Sequence, residues 1–116
     1  MIPIYVGAAL HRAAFVTEIY QHFAAQATPT FDWTVYAGAP SPPSDLAECM
    51  IAGVCAAQVV ILEPGGRGSH VELGIALATT KVQRIWLLPD PDRRKPSDFY
   101  FAPKIKIVGS LNEITL

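Results

Sequence analysis

Charge is scarce in this chain, and what there is nearly cancels. Charged residues fill 16% of the 116 positions and the formal net charge is −1 at pH 7. No basic field is available to draw in a phosphate backbone, which argues against a nucleic-acid partner. Long apolar runs are also missing. Although 51% of the positions are apolar, no uninterrupted stretch approaches the ~20 residues that a membrane helix needs, so no membrane partner is expected. Cysteine is limited to Cys49 and Cys55, six apart in a helical-looking segment and off the three- and four-residue spacings that share a helix face. No further Cys or clustered His completes a metal set, so no metal is expected and both thiols read as reduced and core-facing. The start, Met1-Ile2-Pro3-Ile4-Tyr5-Val6, lacks the basic residues, long apolar stretch and small-residue cleavage site of a secretory signal. A cytoplasmic location is the resulting expectation.

What is present suits one globular domain spanning residues 1–116, with enough apolar content to bury a core. The ten prolines and eight glycines are spread along the chain as punctuation between short elements. No internal repeat or linker divides it. Ile2 to Val6 is a β-rich run closed by Gly7, and Leu10 to about Ala25 carries Phe15, Ile19 and Phe23 at helical spacing. Phe31 to Tyr36 is a second strand candidate, ended by Ala37-Gly38-Ala39-Pro40-Ser41-Pro42-Pro43. Ser44 or Asp45 then caps a helix running to about Ala56. Val59 to Leu62 is a continuous apolar run, as expected of a strand buried on both faces of a parallel sheet. A helix from about His70 to Thr80, a strand from Arg84 to Leu88, a polar loop from Pro89 to Ser97, a short strand from Ile105 to Val108 and a helical turn near Ser110 to Ile114 complete the chain.

Strands alternating with helices predict an α/β fold, with a single doubly wound and mainly parallel sheet of about five strands in a Rossmann- or flavodoxin-like three-layer sandwich. In such sheets ligands bind beyond the carboxyl ends of the strands, near the point where strand order reverses. The stretch Pro64-Gly65-Gly66-Arg67-Gly68-Ser69-His70-Val71-Glu72 falls at such a place. Its glycines let backbone N–H groups approach a ligand, and the helix that follows favours an anion at its start. Arg67 can add a charge-assisted contact and Ser69 a hydroxyl donor. A purely structural alternative is a capping box, with Ser69 as the cap and Glu72 reaching back to it. If Glu72 is functional, a place near the helix start stabilises its ionised form by ~0.3–1 kcal/mol and holds its pKa low. An ionised carboxylate beside an anion-binding turn suits attack on the anomeric carbon of a pentose, which becomes oxocarbenium-like in the transition state.

Two resemblances meet at these residues. The strand and small-residue loop Ile4-Tyr5-Val6-Gly7-Ala8-Ala9, followed later by Val71-Glu72-Leu73-Gly74-Ile75-Ala76-Leu77-Ala78, resemble the nucleoside 2-deoxyribosyltransferase-like superfamily, which includes the 2′-deoxynucleoside 5′-phosphate N-hydrolases. The match spans most of the chain in order. It implies that Glu72 is the nucleophile that takes the glycosyl group, that Tyr5 occupies the family's first-loop tyrosine position, and that Ser69 lies in a turn holding a 5′-phosphate or hydroxyl. The family also places an Asp about eight residues before the pair that opens the central strand. Counting back from Ala57-Gln58 lands on Met50, with Asp45 and Glu48 the nearest acids, so Asp45 is the candidate second carboxylate. The nine residues from Pro64 to Glu72 separately resemble the P-G-G-x-G-[ST]-x-x-E signature of cytokinin-activating phosphoribohydrolases, longer chains whose earlier Gly-rich motif is missing here. Both resemblances imply the N-glycosidic bond of a nucleoside or nucleotide as substrate, no cofactor, and, for the first family, a homo-oligomer.

The candidate site is therefore Glu72, Asp45 and Tyr5 for chemistry, with Gly7, Ala8, Arg12, Gly65, Gly66, Arg67, Gly68, Ser69 and His70 for substrate binding. His70 can protonate a departing base or serve only as a helix-start residue; Arg12 can be a second phosphate contact or a solvated first-turn residue. Trp33 and Tyr36 can stack on a base or belong to the core, and Trp86 reads as core. The charged run from Asp90 to Lys95 reads as a solvated loop, a lid or a contact with a neighbouring subunit, and Phe99-Tyr100-Phe101 as a buried, interface or stacking cluster. Beside the enzyme stand a non-catalytic nucleotide or nucleotide-sugar binding module that uses the Gly65 to Ser69 turn, and a structural protein without any ligand.

Overall fold

The computed structural model describes residues 1–41 and 43–116; Pro42, in the turn-rich stretch, lies outside the described residues. Five strands form one all-parallel sheet: β1 (Ile2–Gly7), β2 (Ala27–Pro29), β3 (Val59–Leu62), β4 (Arg84–Leu87) and β5 (Ile105–Ile107), in the order β2-β1-β3-β4-β5. Three helices connect them: α1 (Ala13–His22), α2 (Leu46–Ala56) and α3 (Arg67–Ala78). This is the doubly wound α/β architecture that the alternating pattern predicts. All four residues of β3 are buried, as the apolar run requires of a central strand covered on both faces.

The register decides what each face meets. Tyr5, Val60, Ile85 and Ile105 are laterally paired across β1, β3, β4 and β5 and so share one face, while Val6, Ile61 and Trp86 share the other. α2 and α3 pack on each other, and right-handed crossovers put them on the Tyr5 face and α1 opposite. Trp86, 5% exposed, is a core residue. Lys104 closes the carboxyl end of α3, its Nζ donating to the carbonyls of Ala76 at 3.0 Å, Leu77 at 3.3 Å and Thr79 at 2.9 Å, where a cation also opposes the helix dipole. No helix among the described residues is long and apolar enough to cross a membrane.

Four expectations need correction. The second strand is Ala27–Pro29, not Phe31 to Tyr36, and Trp33–Tyr36 is a 3-10 helix started by the Asp32 side chain, which accepts from the Thr34 N–H at 3.0 Å. The reason lies at the edge of β1. Beyond Pro29 the sheet has no further ladder for Val6, so the Tyr20 hydroxyl accepts from the Val6 N–H at 3.1 Å and the Trp33 indole donates to the Val6 carbonyl at 2.9 Å. The aromatic content that suggests a strand thus finishes the edge of another strand. The first helix is also shorter than expected, opening as a 3-10 turn at Leu10–Arg12 and ending at His22. α3 begins at Arg67, not His70, because Gly66 takes φ +124° as its N-cap and turns the chain one helical turn earlier. Finally, the cysteines are free but not core residues: Cys49 is half-buried and Cys55 exposed, since α2 turns Gly53 and Val54 inward.

Candidate active site at the sheet switch point

Strand order reverses between β1 and β3, so the loops leaving their carboxyl ends diverge and open a crevice. A cleft of about 320 Å³ lies there, lined by Ala8, Ala9 and Leu10 after β1, by Gly65, Arg67, Gly68 and Ser69 after β3, and by Trp33, Met50 and Glu72. That volume suits a pentose with a phosphate or a small part of a base.

The turn after β3 is held by its own hydrogen bonds. The Ser69 hydroxyl accepts from the Gly65 N–H at 3.0 Å and donates to the Gly66 carbonyl at 3.2 Å. Ser69 sits on the third residue of α3 and is buried, so the capping-box alternative with Ser69 as N-cap does not form. Gly65 is needed for close approach: a Cβ there would meet the Ala9 Cβ at 3.0 Å and the Ala9 nitrogen at 3.3 Å. The missing side chain lets the two loops that frame the cleft approach closely. The first-turn residues of α3, Arg67, Gly68 and Ser69, line the cleft, and first-turn N–H groups have no intrahelical acceptors.

Glu72 lies one and a half turns into α3 and is 5% exposed. Its carboxylate rests where a Gly7 side chain would be, since a Cβ on Gly7 would come within 2.9 Å of Oε1. Tyr5, wholly buried on the same face of β1, stands behind it. The Tyr5 hydroxyl and Glu72 Oε2 are sealed from solvent, and neither has a hydrogen-bond partner among the described residues. Burial pushes the Glu72 carboxyl up to about 7, against the opposing pull of the Tyr5 hydroxyl. Burial, and then the neighbouring Glu72 carboxylate, push the Tyr5 phenol above its usual range, so it stays neutral. This reverses the expectation of a low Glu72 pKa: with the helix starting three residues earlier, the side chain has left the terminal turn where the dipole acts and entered the core. A carboxyl that titrates near neutrality can be attacking anion or proton donor at the same pH.

The other candidates fall in different places. Gly7, Ala8, Gly65, Arg67, Gly68 and Ser69 meet at or directly behind the cleft. Arg12 does not face it as a free cation: its guanidinium forks Glu63 at 2.7 and 2.9 Å and lies over the Phe15 ring at 4.7 Å. That pair ties the end of β3 to the segment after β1. Asp45 is the exposed residue before α2 and contacts Cys49; it is not among the described residues lining the cleft, where Met50 stands instead. His70 turns away from Glu72, its Nδ1 2.7 Å from the Gly66 carbonyl and its Nε2 2.7 Å from the Tyr100 hydroxyl. A carbonyl only accepts, so in the neutral ring Nδ1 carries the proton and Nε2 accepts from Tyr100. Among the described residues no group of three or more His, Cys, Asp or Glu side chains is placed to hold a metal ion.

Sequence reasoning missed the pairing of Glu63 with Arg12, the contact of Tyr100 with His70 and the lining role of Met50. Glu63 carried a signal as a charged residue directly after a buried strand, and Tyr100 as part of an apolar cluster, but nothing in sequence named their partners. Trp33 is core and lining at once, 4% exposed with its indole N–H spent on Val6. Tyr36 stacks on Phe31 at 6.2 Å. Comparison with protein-family models, with curated proteins and with solved structures finds no match. Fold and cleft together define a Rossmann-like α/β protein whose switch-point crevice holds a buried carboxyl titrating near neutrality.

Proposed function

We propose that this chain cleaves, or transfers at, the N-glycosidic bond of a (deoxy)nucleoside or its 5′-monophosphate, through a glycosyl intermediate on Glu72. The observation that carries the reading is the Glu72 carboxyl lining the switch-point cleft, seated on Gly7 and backed by Tyr5. Those residues also carry the resemblance to the nucleoside 2-deoxyribosyltransferase-like superfamily. In the first step a Glu72 oxygen bonds to C1′ as the C1′–N bond breaks, and the base leaves with that electron pair and takes a proton from solvent. Water then attacks C1′ as the C1′–O bond to Glu72 breaks, its proton passing to solvent and the electron pair returning to the carboxylate, giving a hydrolase; a second base attacking through a ring nitrogen and losing its N–H proton to solvent gives a transferase. Tyr5 backs the carboxylate as a neutral, buried phenol, and the Gly65–Ser69 turn with Arg67 receives the 5′ oxygen or phosphate. The homo-oligomer expected with this reading draws support from Phe99 and Phe101, each 68% exposed.

A second reading, a nucleotide-binding module without turnover, is favoured by one observation: no second carboxylate lines the cleft among the described residues. Incubation with a panel of nucleosides, deoxynucleosides and their 5′-monophosphates, followed by chromatography for free base, separates the two. Base release that rises with pH through about 7 and is lost in Glu72→Gln and Glu72→Ala supports the enzyme. Nucleotide binding that survives those substitutions, with no base released, supports the module.

A further inference from the structure

Arg67 lines two cavities, not one. On the far side of the Gly66–Arg67 ridge from Glu72 lies a second cavity of about 420 Å³, walled by α3 and by the loop after β4. Three cations line it, Arg67, Arg94 and Lys95, against one carboxylate, Asp90. Asp90 is already engaged: Arg94 forks it at 2.7 and 3.1 Å, and its Oδ1 accepts from the Asp92 N–H at 2.8 Å. Arg67 and Lys95 have no carboxylate partner among the described residues. In a chain of net charge −1, two unspent cations facing one cavity make a local positive field.

The two cavities share Arg67, and the backbone beside it at Gly66 carries no side chain. Gly66 has φ +124°, and a Cβ built there would meet nothing within 4 Å. The His70 ring, held between the Gly66 carbonyl and the Tyr100 hydroxyl, clamps the turn to the 3-10 segment Asp98–Phe101 and presents no carboxylate to an incoming anion. Ser97 adds a hydroxyl at the rim. An extended anion can therefore lie with one charged group in each cavity and Arg67 between them.

We propose that the second cavity is a polyphosphate subsite: it holds the terminal phosphates of a nucleoside di- or triphosphate whose pentose occupies the cleft before Glu72, with Arg67 touching the chain midway and Lys95 its end. This rests on the pentose reading of the first cleft and extends it to a substrate class.

The test starts with pyrophosphate, which needs no pentose site. Calorimetric titration of the whole chain in metal-free buffer is predicted to show binding that weakens about five- to tenfold in Lys95→Ala and in Arg67→Ala, more in Lys95→Glu, and with added salt, while Glu72→Gln leaves it unaltered. Deoxynucleoside di- and triphosphates are predicted to bind about tenfold tighter than the matching monophosphate, and that gain disappears in Lys95→Ala. The proposal is overturned if pyrophosphate does not bind, if binding ignores Lys95, or if the longer phosphate chains gain nothing over the monophosphate. Failure of the Glu72 reading looks different: no base is released from any nucleotide while the Lys95-dependent binding persists.

Discussion

Glu72 makes the stability of this protein depend on pH in an unusual direction. Its folded-state pKa is raised from 4.5 to about 7 by burial, so the folded state binds a proton that the unfolded chain has released throughout that interval. The stabilisation is fully present below 4.5 and is lost as pH rises through about 7, because stability falls with pH wherever the folded state holds more protons. At ~1.4 kcal/mol per pKa unit the whole loss is about 3 kcal/mol, a large share of the ~5–15 kcal/mol available to a domain. Gln has the shape of the protonated acid and no charge to lose. Urea melts of the wild type and Glu72→Gln at pH 5 and pH 8 are predicted to differ by about 2.5 kcal/mol more at the higher pH, the remainder of the loss having already occurred by pH 5, with the variant the more stable at pH 8. Equal pH slopes in the two proteins would refute the claim that the carboxyl titrates inside the fold.

Two further predictions concern the walls of the cleft. Gly7→Ala places a Cβ within 2.7 Å of Leu62 Cδ2 and 2.9 Å of Glu72 Oε1, so thermal melting is predicted to show a loss of about 1–3 kcal/mol, and base release is predicted to drop with Glu72 displaced. Arg12→Met strands the Glu63 carboxylate, whose side chain is only 6% exposed beside its partner; a loss of about 2–3 kcal/mol is expected in urea melts, with most of it recovered when Glu63→Gln is added.

How much of this was legible depended on how far each feature reaches along the chain. Val59 to Leu62 reads as a buried central strand because its four apolar residues carry the signal alone. The three-residue β2, Ala27–Pro29, carries no such pattern; it is a strand because β1 offers it a ladder, while nearby Trp33 and Tyr36 have strand-like composition and serve other ends. The Gly-rich turn and Glu72 stand out in sequence as a place. The protonation state of Glu72 does not, since it depends on where α3 begins and on the empty side-chain position at Gly7. Arg12 and Glu63 are 51 residues apart, and His70 and Tyr100 are 30 apart. Nothing local marks either pair, so the cation read as either a phosphate contact or a solvated first-turn residue is spent on a carboxylate, and the imidazole read as either a proton donor or a helix-start residue is spent on a phenol.

The most direct test of the account is the mass of the protein itself during turnover. Acid quenching of the enzyme with a nucleotide it hydrolyses, followed by peptide mass spectrometry, is predicted to find the glycosyl residue esterified to the peptide that carries Glu72, and nothing on that peptide in Glu72→Gln. Base release that proceeds with no adduct on Glu72, or undiminished in Glu72→Gln, would contradict it.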